Sequence, residues 1–167
     1  MASGVLIAGP VGVGKTSVAI AAGDILQERG AAAALIDLDW LGWLIGSELP
    51  ISQVIATNLR AVWPNLRDAG AEYLILTRGI ETEMDLRLFR EAIPDVALSV
   101  ATLAVSNDAI EKRLRRRDSG AQLEEHLLQF VEMQAAAEAH PGDLVISNEG
   151  RSVEETAAEI LHSLGWL

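Results

Sequence analysis

The sequence predicts an α/β fold of three layers, in which helices cover both faces of a parallel sheet. Short β-type apolar runs alternate with longer helical stretches along the chain. Each short run is almost uniformly apolar, which is typical of parallel strands that are buried on both faces. Because the chain has 167 residues, half of them hydrophobic, we expect one domain that spans residues 1–167.

Five short apolar runs account for the predicted strands. The first three are VLIAG at 5–9, AAALID at 32–37 and EYLILT at 72–77. The fourth is ALSVATLAV at 97–105, and the fifth is DLVISN at 143–148. None shows the regular apolar–polar alternation of a strand with one solvated face, so all five are expected to belong to a sheet that is covered on both faces.

Six helices are predicted between and after these strands, at residues 15–30, 50–67, 81–93, 106–118, 121–139 and 152–165. Residues that start or stop helices mark most of their ends. Pro50 opens the second helix, Pro94 stops the third, and Ser119-Gly120 separates the fourth from the fifth. The last helix begins at a capping box formed by Ser152 and Glu155, so its start is well defined.

Composition excludes several classes of protein. The formal net charge is -11, whereas a protein that follows the phosphate backbone of nucleic acid usually has a basic face. The sequence has no cysteine, which excludes disulfides and thiolate metal sites. The first apolar run is shorter than a secretory signal or a membrane span requires. We therefore expect a cytoplasmic protein, monomer or homodimer, with neither nucleic acid nor membrane as partner.

The segment GPVGVGKT at Gly9–Thr16 fits the pattern G-x-x-x-x-G-K-[ST] between a predicted strand and a predicted helix. Its glycines let successive backbone N–H groups face an anion, and the helix adds the positive end of its dipole. Lys15 supplies a charge for the terminal phosphates, and Thr16 supplies a hydroxyl for Mg²⁺. The residues expected to bind the nucleoside triphosphate here are Gly9, Gly12, Val13, Gly14, Lys15, Thr16 and Ser17.

Two carboxylates follow the second predicted strand, in the segment IDLDW. Asp37 and Asp39 are two residues apart, so in a strand both side chains would leave the same face, at the edge where ligands bind open parallel sheets. One carboxylate could orient and deprotonate an attacking hydroxyl, and the other could hold the water shell of Mg²⁺. The alternative is a solvated strand end, or a helix cap formed by Asp39.

Three reaction classes use such a phosphate loop: GTPase switches, motor-type ATPases and kinases of small molecules. The sequence has no N-K-x-D segment for guanine selection. No apolar strand ends in the adjacent acidic pair typical of motor ATPases, since the third strand ends in ILTRG. The pattern therefore favours a small-molecule kinase.

The segments GPVGVGKT, IDLDW, RLRRRDSG and NEGRSVEETAAEIL together resemble the small P-loop kinases of the nucleoside-monophosphate-kinase fold. Within that group the chain is most similar to the branch of shikimate, gluconate and adenylylsulfate kinases and chloramphenicol phosphotransferase. The resemblance implies the strand order 2-3-1-4-5, ATP with Mg²⁺ as cofactors, and transfer of the γ-phosphoryl group to a hydroxyl of a small molecule. It also implies a short lid that closes over the nucleotide.

The resemblance assigns roles on the acceptor side. Asp39 corresponds to the acidic residue that meets the acceptor hydroxyl, and Asp37 to its partner carboxylate. Arg78, just past the third strand, falls where relatives place polar or basic groups that hold the acceptor. The acceptor-binding region itself is expected at about 39–70. Trp40 and Trp43, at i, i+3 spacing, could form a wall of the acceptor pocket or pack in the core.

The resemblance also assigns roles around the nucleotide. Arg113, Arg116 and Arg117 correspond to lid arginines, in a lid expected at about 113–122, and Arg117 joins Lys15 as a catalytic candidate. Arg113 and Arg117 are four residues apart and share a helical face. The loop NEGRS at 148–152, which includes Arg151, lies where relatives enclose the adenine.

Several departures leave the acceptor undefined. Shikimate kinases have a run of glycines after the third strand, where this chain has TRGIE, and the cysteine and lysine of gluconate kinases are missing there. Gly42 stands where adenylylsulfate kinases have an arginine.

Two other functions also remain open. A nucleotide or nucleoside kinase would need a second phosphate site, for which only Arg60 and Arg67 are available, and an ATP-binding regulatory module would transfer no phosphate.

Overall fold

The computed structural model describes residues 1–46 and 48–167. Its sheet has five strands, each paired in parallel, in the order β2-β3-β1-β4-β5. The predicted α/β fold class and strand order are thus confirmed. The strands are β1 Ala2–Ala8, β2 Ala33–Asp37, β3 Tyr73–Thr77, β4 Val96–Ala104 and β5 Leu144–Ser147.

In the described residues six helices lie close to the predicted positions, and one short helix that was not predicted directly follows β2. The capping box predicted for Ser152 and Glu155 is present at the start of the last one. None of the helices in this part of the chain combines the length and the apolar character that a bilayer span requires. The helices are α1 Lys15–Glu28, α2 Leu38–Leu41, α3 Ile51–Asp68, α4 Glu83–Ala92, α5 Asn107–Arg117, α6 Gly120–Ala139 and α7 Val153–Ser163.

Two apolar clusters hold the helices on the two faces of the sheet. Because side chains alternate along a strand, Val5 and Ile7 pack into the cluster that includes α1 and α7, and Leu6 packs into the cluster that includes α3 and α4. Trp63 is buried in the second cluster and donates its indole N–H to Asp95, at 3.2 Å. The central strand β1 therefore stabilises both layers.

Parallel pairing brings three segments to one edge of the sheet. Ile7 of β1 and Asp37 of β2 are both in register with Thr77 of β3. The phosphate loop that follows β1, the acidic segment that follows β2 and the arginine that follows β3 therefore begin side by side. This edge carries the candidate site, as expected for an open parallel sheet.

Candidate functional site

The phosphate loop connects β1 to α1 and depends on glycine. Gly9, Gly12 and Gly14 have φ values of 133°, 79° and 102°, in the left-handed region that favours glycine. A Cβ on Gly9 would also lie 2.9 Å from the carbonyl oxygen of Leu103 in the neighbouring strand. No side chain caps the start of α1, so its first N–H groups stay open to an anion.

Lys15 lies folded onto this loop. Its ammonium donates to the carbonyl oxygens of Gly9, at 3.0 Å, and of Pro10, at 2.9 Å. Desolvation by the surrounding loop lowers the pKa of Lys15 to about 8, although the carboxylates of Asp39 and Asp37 oppose this shift. A phosphate group bound at the loop would favour the charged ammonium, so Lys15 is suited to bind one.

The acidic pair adopts a different geometry from the predicted one. Strand β2 ends at Asp37, and Leu38 already begins α2, so the expectation that Asp37 and Asp39 leave one face of a strand is wrong. Asp37 instead caps α2, because its Oδ1 accepts a hydrogen bond from the backbone N–H of Asp39 at 3.2 Å. The turn of this short helix still directs both carboxylates to the same cavity.

A magnesium ion would find suitable ligands at Thr16 and Asp37. The Thr16 hydroxyl donates to Asp37 Oδ2 at 3.1 Å, which places two oxygen ligands beside the phosphate loop. Mg²⁺ prefers oxygen and is usually held by one or two protein groups together with water and phosphates. In the described part of the chain no group of three His, Cys, Asp or Glu side chains forms a metal site of its own. The residues therefore fit an ion that is shared with a nucleotide.

Asp39 is oriented by an arginine that directly follows the neighbouring strand. Arg78 follows β3, and its Nη1 donates to Asp39 Oδ1 in an ion pair. The Arg78 side chain is only 13% exposed, whereas that of Asp39 is 61% exposed. The buried arginine thus fixes the carboxylate, and the second oxygen of Asp39 remains accessible. Acceptor binding by Arg78 was predicted from the sequence, whereas its contact with Asp39 was not.

These groups line one large cavity of about 990 Å³. Lys15 and Thr16 lie on its phosphate-loop wall, and Asp39 and Arg78 lie on the wall formed by the ends of β2 and β3. Glu81 and the wall that α6 contributes were not predicted from the sequence. The α6 residues that line the cavity are Gln129, Glu132, Met133 and Ala136.

A second cavity of about 330 Å³ lies on the other side of the phosphate loop. Asn148 donates to the carbonyl oxygen of Val13 at 2.6 Å, and Arg113 donates to the same oxygen at 3.1 Å. The Asn148 Oδ1 atom is buried and has no hydrogen-bond partner among the described residues. Arg151 also lines this cavity and donates to the carbonyl oxygen of Ser147, at 3.3 Å.

The predicted lid arginines occupy three different environments. Arg113 lies at the smaller cavity, and Arg117 lines the large one. Arg116 is exposed and lines neither cavity, because its position on α5 differs from the face that Arg113 and Arg117 share. The structure therefore brings only two of the three arginines to the site.

Trp40 and Trp43 lie at the surface. They are 69% and 68% exposed, and their rings stack with centroids 4.8 Å apart. Both tryptophans lie outside the core, so the predicted alternative that they pack in the core is wrong. Neither of them lines the large cavity either.

Comparison with known proteins shows likeness in structure only. No protein-family model matches the chain, and no curated protein matches it by sequence. A tunicamycin resistance protein from Deinococcus radiodurans matches with a TM-score of 0.70 and 20% identity, over 100% of this chain and 98% of that one. A gluconokinase from Sinorhizobium meliloti 1021 matches with a TM-score of 0.64 and 20% identity, over 98% and 91%.

The APS kinase of Mycobacterium tuberculosis, solved in complex with AMPPNP and APS, matches with a TM-score of 0.61 and 22% identity. The match covers 98% of each chain. Identities this low establish the architecture alone. The chain has the fold of the small P-loop kinases.

Proposed function

We propose that the protein is an ATP-dependent kinase that transfers the γ-phosphoryl group to a hydroxyl of a small molecule. The observation that carries this proposal is the large cavity, which has Lys15 and Thr16 on one wall and the oriented carboxylate of Asp39 on another. The nucleotide that donates the phosphoryl group and the carboxylate that accepts the proton of the acceptor hydroxyl would thus face the same cavity. The gluconokinase and the APS kinase, which have the same fold, support the proposal that the protein is a kinase.

The nucleotide would extend across both cavities. The N–H groups from about Gly12 to Thr16 would bind the β- and γ-phosphates, with Lys15 as the nearest charge. The adenine would occupy the smaller cavity between Arg113 and Arg151. Magnesium at Thr16 and Asp37 would neutralise phosphate charge.

The acceptor would enter the large cavity from the side of Asp39. Its hydroxyl oxygen forms a bond to the γ-phosphorus while the bond from that phosphorus to the β-phosphate oxygen breaks, and ADP leaves. Asp39 positions the hydroxyl and takes its proton, and Lys15 and Arg117 stabilise charge on the transferred group. Orientation and electrostatics therefore account for most of the catalysis.

A nucleotide acceptor has less support in the structure. Of the two arginines available for a second phosphate site, Arg67 pairs with Asp68 and Asp95, at 3.2 and 2.8 Å. Arg60 is exposed, and neither arginine lines the large cavity. We therefore favour an acceptor without a phosphate group.

A screen for ADP release tests the proposal. The wild-type protein, with ATP and Mg²⁺, is incubated with a panel of hydroxylated metabolites and antibiotics, and Lys15→Ala serves as the blank. We expect one acceptor class to stimulate ADP release and to yield a phosphorylated product by mass spectrometry. Nucleotide binding without stimulated release by any member of the panel would contradict a kinase and favour a regulatory module.

Replacement of Asp39 tests the role of the base. With the acceptor from the screen, Asp39→Asn should leave ATP affinity nearly intact while turnover falls about a hundredfold or more, because the amide cannot take the proton. Asp24→Asn, at an exposed position on α1, is the matched control and should keep wild-type turnover. Unchanged turnover in Asp39→Asn would remove Asp39 from the mechanism.

A further inference from the structure

Three polar side chains form a closed cluster where α5 meets α6. The Asp118 side chain is 3% exposed, and each of its oxygens accepts a hydrogen bond from Arg117, from Nε and from Nη2, both at 2.8 Å. The Nδ1 atom of His126, on α6, lies 2.7 Å from Asp118 Oδ2 and 3.0 Å from Arg117 Nη2. With Nδ1 protonated, the imidazole donates to a carboxylate that already holds the arginine in a bidentate pair.

This arrangement leaves one edge of Arg117 free. Asp118 occupies Nε and Nη2, while Nη1 has no partner among the described residues. The Arg117 side chain is 51% exposed and lines the large cavity together with Lys15. The two free N–H groups of Nη1 can therefore donate to a phosphate oxygen without loss of the contact with Asp118.

The end of α5 is fixed against the phosphate loop. Leu114 is fully buried, and a Cβ on Gly12 would lie 2.8 Å from its Cδ2 atom, so helix and loop are in direct contact. Arg113 adds a hydrogen bond to the carbonyl oxygen of Val13, at 3.1 Å. The end of α5 that carries Arg117 is thereby held beside the phosphate loop, and only the long side chain of Arg117 needs to be oriented.

We propose that Asp118, oriented by His126, is a positioning residue that holds Arg117 toward the terminal phosphate of the bound nucleotide. The inference rests on the proposed kinase function, because Arg117 needs a triphosphate in the cavity. The cluster reduces the rotamer freedom that an exposed arginine would otherwise lose on binding. The hydrogen bonds from Arg117, helped by His126, keep the pKa of Asp118 at about 2, so the carboxylate is charged at neutral pH.

A double-mutant cycle tests this positioning role. Calorimetry measures the affinity of Mg²⁺–AMPPNP and of Mg²⁺–ADP for the wild type, Arg117→Ala, Asp118→Asn and the double variant. Arg117→Ala should weaken AMPPNP binding about tenfold, the loss of one charge-assisted contact. Asp118→Asn should weaken it by about threefold or more, and the double variant should match Arg117→Ala because both act through one side chain. ADP affinity should stay unchanged, since ADP lacks the terminal phosphate.

Variants at His126 keep the test independent of the stability of Asp118→Asn. The glutamine amide in His126→Gln can still donate to Asp118, so this variant should bind AMPPNP with wild-type affinity. The leucine in His126→Leu cannot donate, so the AMPPNP affinity of that variant should fall about twofold or more. The matched control is Glu111→Gln. This variant breaks the exposed ion pair between Glu111 and Arg115, at 2.6 Å, on the same helix and should leave the affinity for AMPPNP unchanged. Thermal unfolding of each variant identifies any that are misfolded.

The outcomes separate this inference from the proposed function. Additive effects in the cycle, or equal losses of AMPPNP and ADP affinity, would indicate a purely structural role and overturn the inference. Unchanged AMPPNP binding in Asp118→Asn and His126→Leu would also overturn it. Tighter binding in these variants would overturn it as well, because Asp118 would then hold Arg117 away from the phosphate. If the wild type itself takes up no AMPPNP, the proposed function and the inference both fall.

Discussion

At the scale of single residues, Lys15 determines how nucleotide binding depends on pH. Its pKa in the free protein is lowered to about 8 by desolvation, whereas phosphates favour the charged form. Below pH 8 the ammonium is already present and affinity should be constant. Above pH 8 binding must take up a proton, so affinity should fall by up to about tenfold per pH unit. Calorimetry in buffers of different ionisation enthalpy measures both the affinity and the proton uptake.

Lys15→Arg provides the control for this pH dependence. Arginine keeps its charge throughout this range, so a variant that still binds the nucleotide should show neither the fall in affinity nor the proton uptake. An affinity for the wild type that stays constant between about pH 7 and 9.5 would show that Lys15 keeps its ordinary pKa in the free protein.

At the scale of elements, the phosphate loop depends on close packing between β1 and β4. Gly9 combines a φ of 133° with a close approach to Leu103 of β4, so Gly9→Ala should lower the free energy of unfolding by about 1–3 kcal/mol. Gly23→Ala is the matched control. It lies inside α1 with open space around it, and should raise that free energy by about 0.5–1 kcal/mol. Urea unfolding without nucleotide measures both values, and an unchanged midpoint for Gly9→Ala would contradict the prediction.

The strands and helices were largely predictable, because the periodicity of apolar residues and the capping residues are local features of the sequence. The buried apolar runs gave every strand, and the capping box at Ser152 gave the start of α7. The turn at Asp37 was not predictable, since an aspartate that follows an apolar run fits a strand end as well as a helix cap. Sequence periodicity also placed Arg113 and Arg117 on one face but could not show that the two side chains would line different cavities.

The α6 wall shows a further limit of sequence patterns. Gln129, Glu132, Met133 and Ala136 follow i, i+3, i+4, i+7 spacing and so form one helical face. That face mixes polar and apolar side chains, so no hydrophobic pattern distinguishes it from a solvated one. Only the packing of α6 across the sheet edge turns it toward the cavity. Contacts between distant elements therefore decide the acceptor side of the site.

At the scale of the whole molecule, charge pairing in the large cavity predicts which acceptors it admits. Lys15 lies at the phosphate loop, and the other two basic side chains of the cavity are already partly neutralised, since Arg78 is paired with Asp39 and Arg117 with Asp118. Glu81 also lines the cavity and has no ion-pair partner among the described residues. The protein as a whole carries a formal charge of -11, which adds to the repulsion of anions.

We therefore expect neutral or amine-bearing acceptors to bind better than carboxylates of the same size. For matched acceptors that differ only in this group, the KM of the carboxylate should be higher by about tenfold, since an unpaired like charge costs roughly 1 kcal/mol or more near a protein surface. Glu81→Gln and Glu132→Gln should each narrow that difference in KM and leave kcat nearly unchanged, because both glutamates act on binding. A carboxylate acceptor that binds best in the wild type, with no effect of either variant, would show that these charges do not select the acceptor.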